Sequence, residues 1–140
     1  MKKAIEPKNV PGALGPYSYA VKVGDFIFCS GQVGKSPKTN EFVKGGIEAQ
    51  TKQVLENLKA VLTAAGADLS DVVKTTVYLK NVSDFSKMNE VYASFFQKPY
   101  PARATIEAAR LPQDALIEVD CIAYVNRVES CCSGDCHCGK

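Results

Sequence analysis

Two segments of this chain repeat apolar residues at helical spacing, and the lack of a third limits the fold more than any other feature. In the first, Ile47, Thr51, Val54, Leu55, Leu58, Val61, Leu62 and Ala65 fall on one face. Glu48, Lys52, Glu56, Lys59 and Thr63 lie largely opposite, and Gly66 is placed to end the helix. In the second, from about Asp84 to Gln97, Phe85, Met88, Val91, Tyr92, Phe95 and Phe96 form the apolar face. Ser83 or Asp84 can cap its start, and Pro99 and Pro101 stop it.

The remaining apolar residues alternate or come in short runs, as strands do. Tyr17, Tyr19, Val21 and Val23 alternate with Ser18, Ala20 and Lys22, which predicts a half-buried strand over 17–23. Gly24-Asp25 predicts a hairpin turn into Phe26–Val33, where Phe26-Ile27-Phe28-Cys29 reads as more deeply buried. Lys74–Leu79, Ala102–Ala109 and Leu116–Val125 read as three further strands, with a short turn at Ser70–Val73 and a loop at Arg110–Ala115. Residues 1–16, punctuated by Pro7, Pro11, Gly12, Gly15 and Pro16, read as an irregular arm. The order is β-β-α-β-α-β-β, an α+β chain with a mixed sheet and two helices covering one face. The other face then needs a cover, and a second copy of the same chain is the simplest one. A single domain over residues 1–126 is expected, followed by a flexible cysteine-rich tail at 127–140.

Composition excludes several classes. Apolar residues make up 46% and charged residues 23%, too apolar for a disordered chain. The net charge of +2 argues against nucleic acid as a partner, because that affinity comes largely from Lys and Arg on phosphates. The first residues contain no apolar core of a secretory signal, and no window approaches the length of a membrane span, so the cytoplasm is the expected compartment. Thiols there are mostly reduced, and Cys29 and Cys121, set in apolar stretches, read as small buried hydrophobes.

Familiar catalytic motifs are absent: there is no HExxH, G-x-S-x-G, Walker A loop or G-x-G-x-x-G. What remains is a small polar set within strands. Arg103 begins an apolar strand. Glu118, Asp120, Ile122 and Tyr124 share one face of the last strand, with Ile117, Val119, Cys121, Ala123 and Val125 on the other. A covered carboxylate must be paired or hydrogen-bonded. Arg103 and Glu118 therefore read as a structural ion pair, as residues that simply face water, or as a pocket. In the pocket reading the arginine grips a carboxylate ligand and the glutamate moves a proton or positions water. Ser30-Gly31 at a strand end reads as a turn or, in the pocket reading, adds a hydroxyl and a close backbone approach.

Taken in order, these segments resemble the RidA family, also called YjgF/YER057c/UK114. The resemblance rests on Gly15-Pro16-Tyr17-Ser18, Ser30-Gly31-Gln32, Ala65-Gly66 ahead of Val73-Lys74-Thr75-Thr76-Val77, and Asp84-Phe85 with Met88-Asn89-Glu90-Val91-Tyr92. Pro101-Ala102-Arg103 and Ala109-Arg110-Leu111-Pro112 followed by Glu118 complete it. It implies a chorismate-mutase-like fold and a homotrimer with a barrel-like core and clefts between neighbouring subunits. It also implies hydrolysis of 2-aminoacrylate/2-iminopropanoate and 2-iminobutanoate to 2-keto acids and ammonia, with no metal or organic cofactor. On the same resemblance Arg103 binds the substrate carboxylate and Glu118 positions or activates the water. Ser30 and Gly31 touch the ligand, Tyr17 helps close the pocket from a neighbouring subunit, and Phe85 and Asn89 lie near the cleft. Thr105 stands where many members have cysteine.

Two other functions compete with this one. A translation-inhibiting ribonuclease is disfavoured by the near-neutral charge, and a non-enzymatic ligand-binding or chaperone-like role by the presence of both Arg103 and Glu118. The tail holds Cys131, Cys132, Cys136, His137 and Cys138. These residues read as a redox-reactive appendage, a thiolate site for a soft ion such as Zn²⁺ or Cu(I), or a disulfide partner.

Overall fold

The two helical patterns fold as α1 (Gly46–Ala64) and α2 (Phe85–Phe95) in a computed structural model that describes residues 1–126. The tail cysteines and His137 lie outside the described residues. Val54, Leu55, Leu58, Val61 and Leu62 of α1 are at most 1% exposed. Each such burial contributes about 1.5–3 kcal/mol, so this stripe is the main attachment of the helix to the sheet. Gly66 follows at φ 79°, the left-handed geometry that turns the chain out of the helix. Asp84 occupies the position before α2, but its side chain makes no cap hydrogen bond there.

Among the described residues six strands form one sheet: β1 (Lys3–Ile5), β2 (Ala20–Val23), β3 (Phe26–Val33), β4 (Val72–Leu79), β5 (Ala102–Glu107) and β6 (Ile117–Tyr124). Their order across the sheet is β1-β2-β3-β6-β4-β5. The last strand in sequence thus sits in the middle, antiparallel to β3 on one side and β4 on the other. Only β4 and β5 pair in parallel, with α2 as their crossover. No helix among the described residues is long and apolar enough to cross a membrane.

Both helices lie on one face, and β6 shows the division of the sheet. Ile117, Val119, Cys121 and Ala123 are buried, while Glu118, Asp120 and Ile122 are half-buried and Tyr124 is exposed. Cys29 and Cys121 are free, buried and directly paired in register. The Cys121 thiol is pushed far up by its contact with Cys29 and by burial. The face without helices carries Phe26, Phe28 and Tyr124, with the Phe26 ring 5.1 Å from Tyr124 and 6.2 Å from Phe28.

Several sequence expectations are corrected. The arm is not wholly irregular, because Lys3–Ile5 adds an edge strand on β2 and buries Ile5 in the core. Strand β2 begins at Ala20 rather than Tyr17, and Ala20 is its buried residue. Val21 and Val23 pair with Phe28 and Phe26 instead, so the apolar set of this strand belongs to the face without helices. Phe26 and Phe28 are 44% and 46% exposed for the same reason, although their run reads as deeply buried. Alternation reveals that a strand has two faces; it does not reveal which one the helices cover. Strand β4 starts two residues early, at Val72, after a short 3-10 turn at Leu69–Asp71. Strand β5 and helix α2 each end two residues before the sequence reading.

Candidate active site

Strand β3 carries one extra residue opposite β6. Cys29 pairs with Cys121 and Gln32 with Val119, so Ser30 and Gly31 together face Asp120. Such a bulge re-aims side chains at a strand end. The Ser30 hydroxyl donates to the Ser18 carbonyl at 2.6 Å, which ties the incoming chain to the bulge and leaves the oxygen free to accept. Gly31 lies directly over the Glu118 side chain. A Cβ at this position would stand 2.8 Å from Glu118 Cδ and 3.1 Å from Oε1, so only glycine leaves the carboxylate its place.

Glu118, Ser30, Gly31 and Tyr17 line a cavity of about 310 Å³, together with Gln32, Lys35, Pro112 and Gln113. Burial pushes the Glu118 carboxyl above its ordinary value of 4.5, and the nearby Asp120 charge pushes it further. A carboxyl tuned in this direction can pass a proton nearer neutral pH than a solvated one. Asp120 itself accepts a hydrogen bond from the Tyr78 hydroxyl at 3.2 Å.

Arg103 is elsewhere. It pairs in register with Thr75 and Thr105 pairs with Val77, and Thr75 and Val77 are both fully buried beneath the helices. Paired residues point to the same side. Arg103 and Thr105 therefore belong to the helix face, whereas Glu118, paired with Tyr78 and Val33, belongs to the other. The ion-pair reading of Arg103 and Glu118 fails, since within one chain they stand on opposite faces. The only ion pair among the described residues joins Lys80 to Asp114 at 3.1 Å.

The surroundings of Arg103 are aromatic. Its guanidinium carbon is 4.7 Å from the Tyr92 ring centroid and 5.6 Å from that of Phe85. Asn89, Tyr92, Tyr100 and Arg103 line a second cavity, of about 340 Å³. Tyr92 is held by a 2.8 Å hydrogen bond between its hydroxyl and that of the buried Thr75. Rings attract a cation without occupying its in-plane donors, so this guanidinium keeps its two-pronged face for a carboxylate. Nearby, the Thr105 hydroxyl is buried and finds no partner among the described residues.

The sequence-derived residues thus fall into two groups. Tyr17, Ser30, Gly31 and Glu118 share one cavity, while Phe85, Asn89, Arg103 and Thr105 gather around the second helix and β5. Sequence reasoning missed two residues here. Tyr92 reads as one more apolar position of α2, although an unpaired arginine signals the need for a ring. Lys35 lies in a stretch that reads as loop, where periodicity carries no information.

Residues 7–125 match the family model described as Endoribonuclease L-PSP. Over 124 residues the chain is 56% identical to a RutC family protein of Pyrococcus horikoshii, covering 89% of this chain and 98% of that one. It is 42% identical over 123 residues to the human 2-iminobutanoate/2-iminopropanoate deaminase, covering 88% and 90% of the two chains. Among solved structures it resembles Escherichia coli TdcF with bound serine, at a TM-score of 0.85 and 40% identity, over 89% of this chain and 99% of that one.

Proposed function

The chain belongs to the RidA family, and on that premise we propose that it is a deaminase that hydrolyses 2-imino acids such as 2-iminopropanoate and 2-iminobutanoate. The observation that carries this reading is the Arg103 guanidinium on its aromatic shelf, without an acidic partner among the described residues. It offers a substrate carboxylate two parallel donors, and a carboxyl of raised pKa is present for the water. Human and mite relatives bear the name of this activity, and a serine-bound relative shares the fold.

The two groups of residues meet only if separate copies of the chain supply them. We infer a homotrimer in which Arg103 of one subunit faces Ser30, Gly31 and Glu118 of the next. The apolar face around Phe26, Phe28 and Tyr124 supports such packing, because exposed patches of this kind mark interaction surfaces.

The chemistry needs little more. Water adds its oxygen to C2 of the protonated imine, and Glu118 accepts a proton from that water. The proton then passes to the nitrogen; as the C–N bond breaks and ammonia leaves, Glu118 takes the remaining hydroxyl proton, so the oxygen stays as the keto group. The Ser30 oxygen is free to accept from the imine N–H. General acid–base help of this kind contributes about 10²–10⁴-fold, and a fixed orientation adds to it.

Mixing two inactive variants tests both parts of the reading. Arg103→Ala and Glu118→Ala should each abolish keto-acid release from iminobutanoate made in situ by a threonine dehydratase. Co-assembled at equal amounts, they should recover about a quarter of the wild-type rate, because one interface in every mixed trimer holds both intact halves. Full activity of Arg103→Ala alone would refute the role given to Arg103, and no keto-acid release by the wild type would refute the deaminase assignment. Two inactive variants with no recovery on mixing would refute the shared site.

A further inference from the structure

Lys35 is the most buried charged side chain among the described residues, at 7% exposure. It sits just beyond β3, where its backbone is clamped: its carbonyl accepts from the Asn57 amide at 3.0 Å and its N–H donates to Val33 at 2.8 Å. Its ammonium lies 5.5 Å from the centroid of Phe42. No carboxylate among the described residues pairs with it, and its ammonium donates no hydrogen bond there. Burying a lysine without a counter-charge is costly, and one ring offsets only part of that. The residue lines the same cavity as Glu118, Ser30 and Gly31.

We propose that Lys35 is a second anion-binding group of this cavity, which extends the substrate class to 2-imino acids carrying a distal acid group. The inference rests on the deaminase reading above. The α-carboxylate goes to Arg103 of the neighbouring subunit, and the distal carboxylate goes to the Lys35 ammonium. Within one chain the cavity measures about 310 Å³. Among the described residues no other cation lines it, so a distal acid has Lys35 as its counter-charge there.

Calorimetric binding of stable keto-acid products tests the proposal without relying on turnover. The probes are 2-oxobutanoate, with one acid group, and 2-oxoglutarate and oxaloacetate, with two. Wild type should bind at least one of the two-acid ligands more tightly than 2-oxobutanoate. Lys35→Met should weaken that ligand about tenfold or more, the loss of one charge-assisted hydrogen bond, with 2-oxobutanoate unchanged. Lys35→Arg should retain most of the preference. Equal weakening of all three ligands, no change in any, or loss of assembly in Lys35→Met by light scattering would overturn the proposal. Normal 2-oxobutanoate binding with no two-acid preference would overturn the role of Lys35 alone. Failure of wild type to bind any of the three would overturn the deaminase reading together with it.

Discussion

The Arg103 guanidinium stands 4.7 Å above the ring of Tyr92, and that ring is fixed from behind by a hydroxyl-to-hydroxyl bond with Thr75. Burial pushes the Tyr92 phenol above its usual range, so it stays neutral as a shelf for the cation. The arrangement separates what holds the arginine from what the arginine can hold.

Tyr92→Phe keeps the ring and removes the bond, which leaves the Thr75 hydroxyl buried and unpaired. It should cost about 1–3 kcal/mol in urea unfolding with little change in KM. Tyr92→Leu removes the ring, and KM for the imine should rise severalfold. Equal KM values for the two variants would show that the ring does not position Arg103.

Two glycines three residues apart, Gly31 and Gly34, should behave oppositely. Gly31→Ala meets the flexible Glu118 side chain, so the carboxyl moves and the fold stays. Activity should fall about 10- to 100-fold with little change in melting temperature, as displaced catalytic groups do. Gly34→Ala meets Gln50 instead, with Cα only 2.8 Å from the new Cβ, so helix α1 itself must shift. That should cost about 1–3 kcal/mol of stability, read by thermal or urea unfolding.

The raised Glu118 carboxyl has a signed effect on stability. The native state holds this proton more tightly than the unfolded chain, so stability falls as pH rises from the ordinary value of 4.5 through the higher native one. Glu118→Gln should remove that decline in urea midpoints across this window. Asp120→Asn removes the lesser of the two causes, so the acid limb of kcat/KM should move to lower pH without returning to 4.5. An acid limb that stays in place would exclude Glu118 as its origin.

Phe28→Glu places a charge among Phe26, Phe28 and Tyr124 on the face without helices. Light scattering should show monomers, with circular dichroism preserved and deaminase activity lost. An active monomer would mean that one chain contains a complete site.

Much of this was legible in the sequence, because periodicity reports burial on one side of an element. Leu55 and Val61 had to lie on a covered helix face, and Val119 and Cys121 on a covered strand face. Glu118 was visible as the polar partner on the opposite side of β6. Lys3–Ile5 was not legible: three residues are too few to show a period, and this edge strand exists only because β2 offers it a ladder. The bulge at Ser30–Gly31 was hidden for a similar reason, since an extra residue is defined only against the strand it pairs with.

The sequence by itself determined the element types, the two buried helical stripes and the short set of polar residues able to do chemistry. The tertiary structure decided that Arg103 and Glu118 lie on opposite faces of one sheet. That follows from register, in which Arg103 pairs with Thr75 and Glu118 with Tyr78, and sites three apart along β4 point to opposite sides. A linear pattern records the alternation within each strand. Hydrogen bonding between strands far apart in the chain sets which faces coincide.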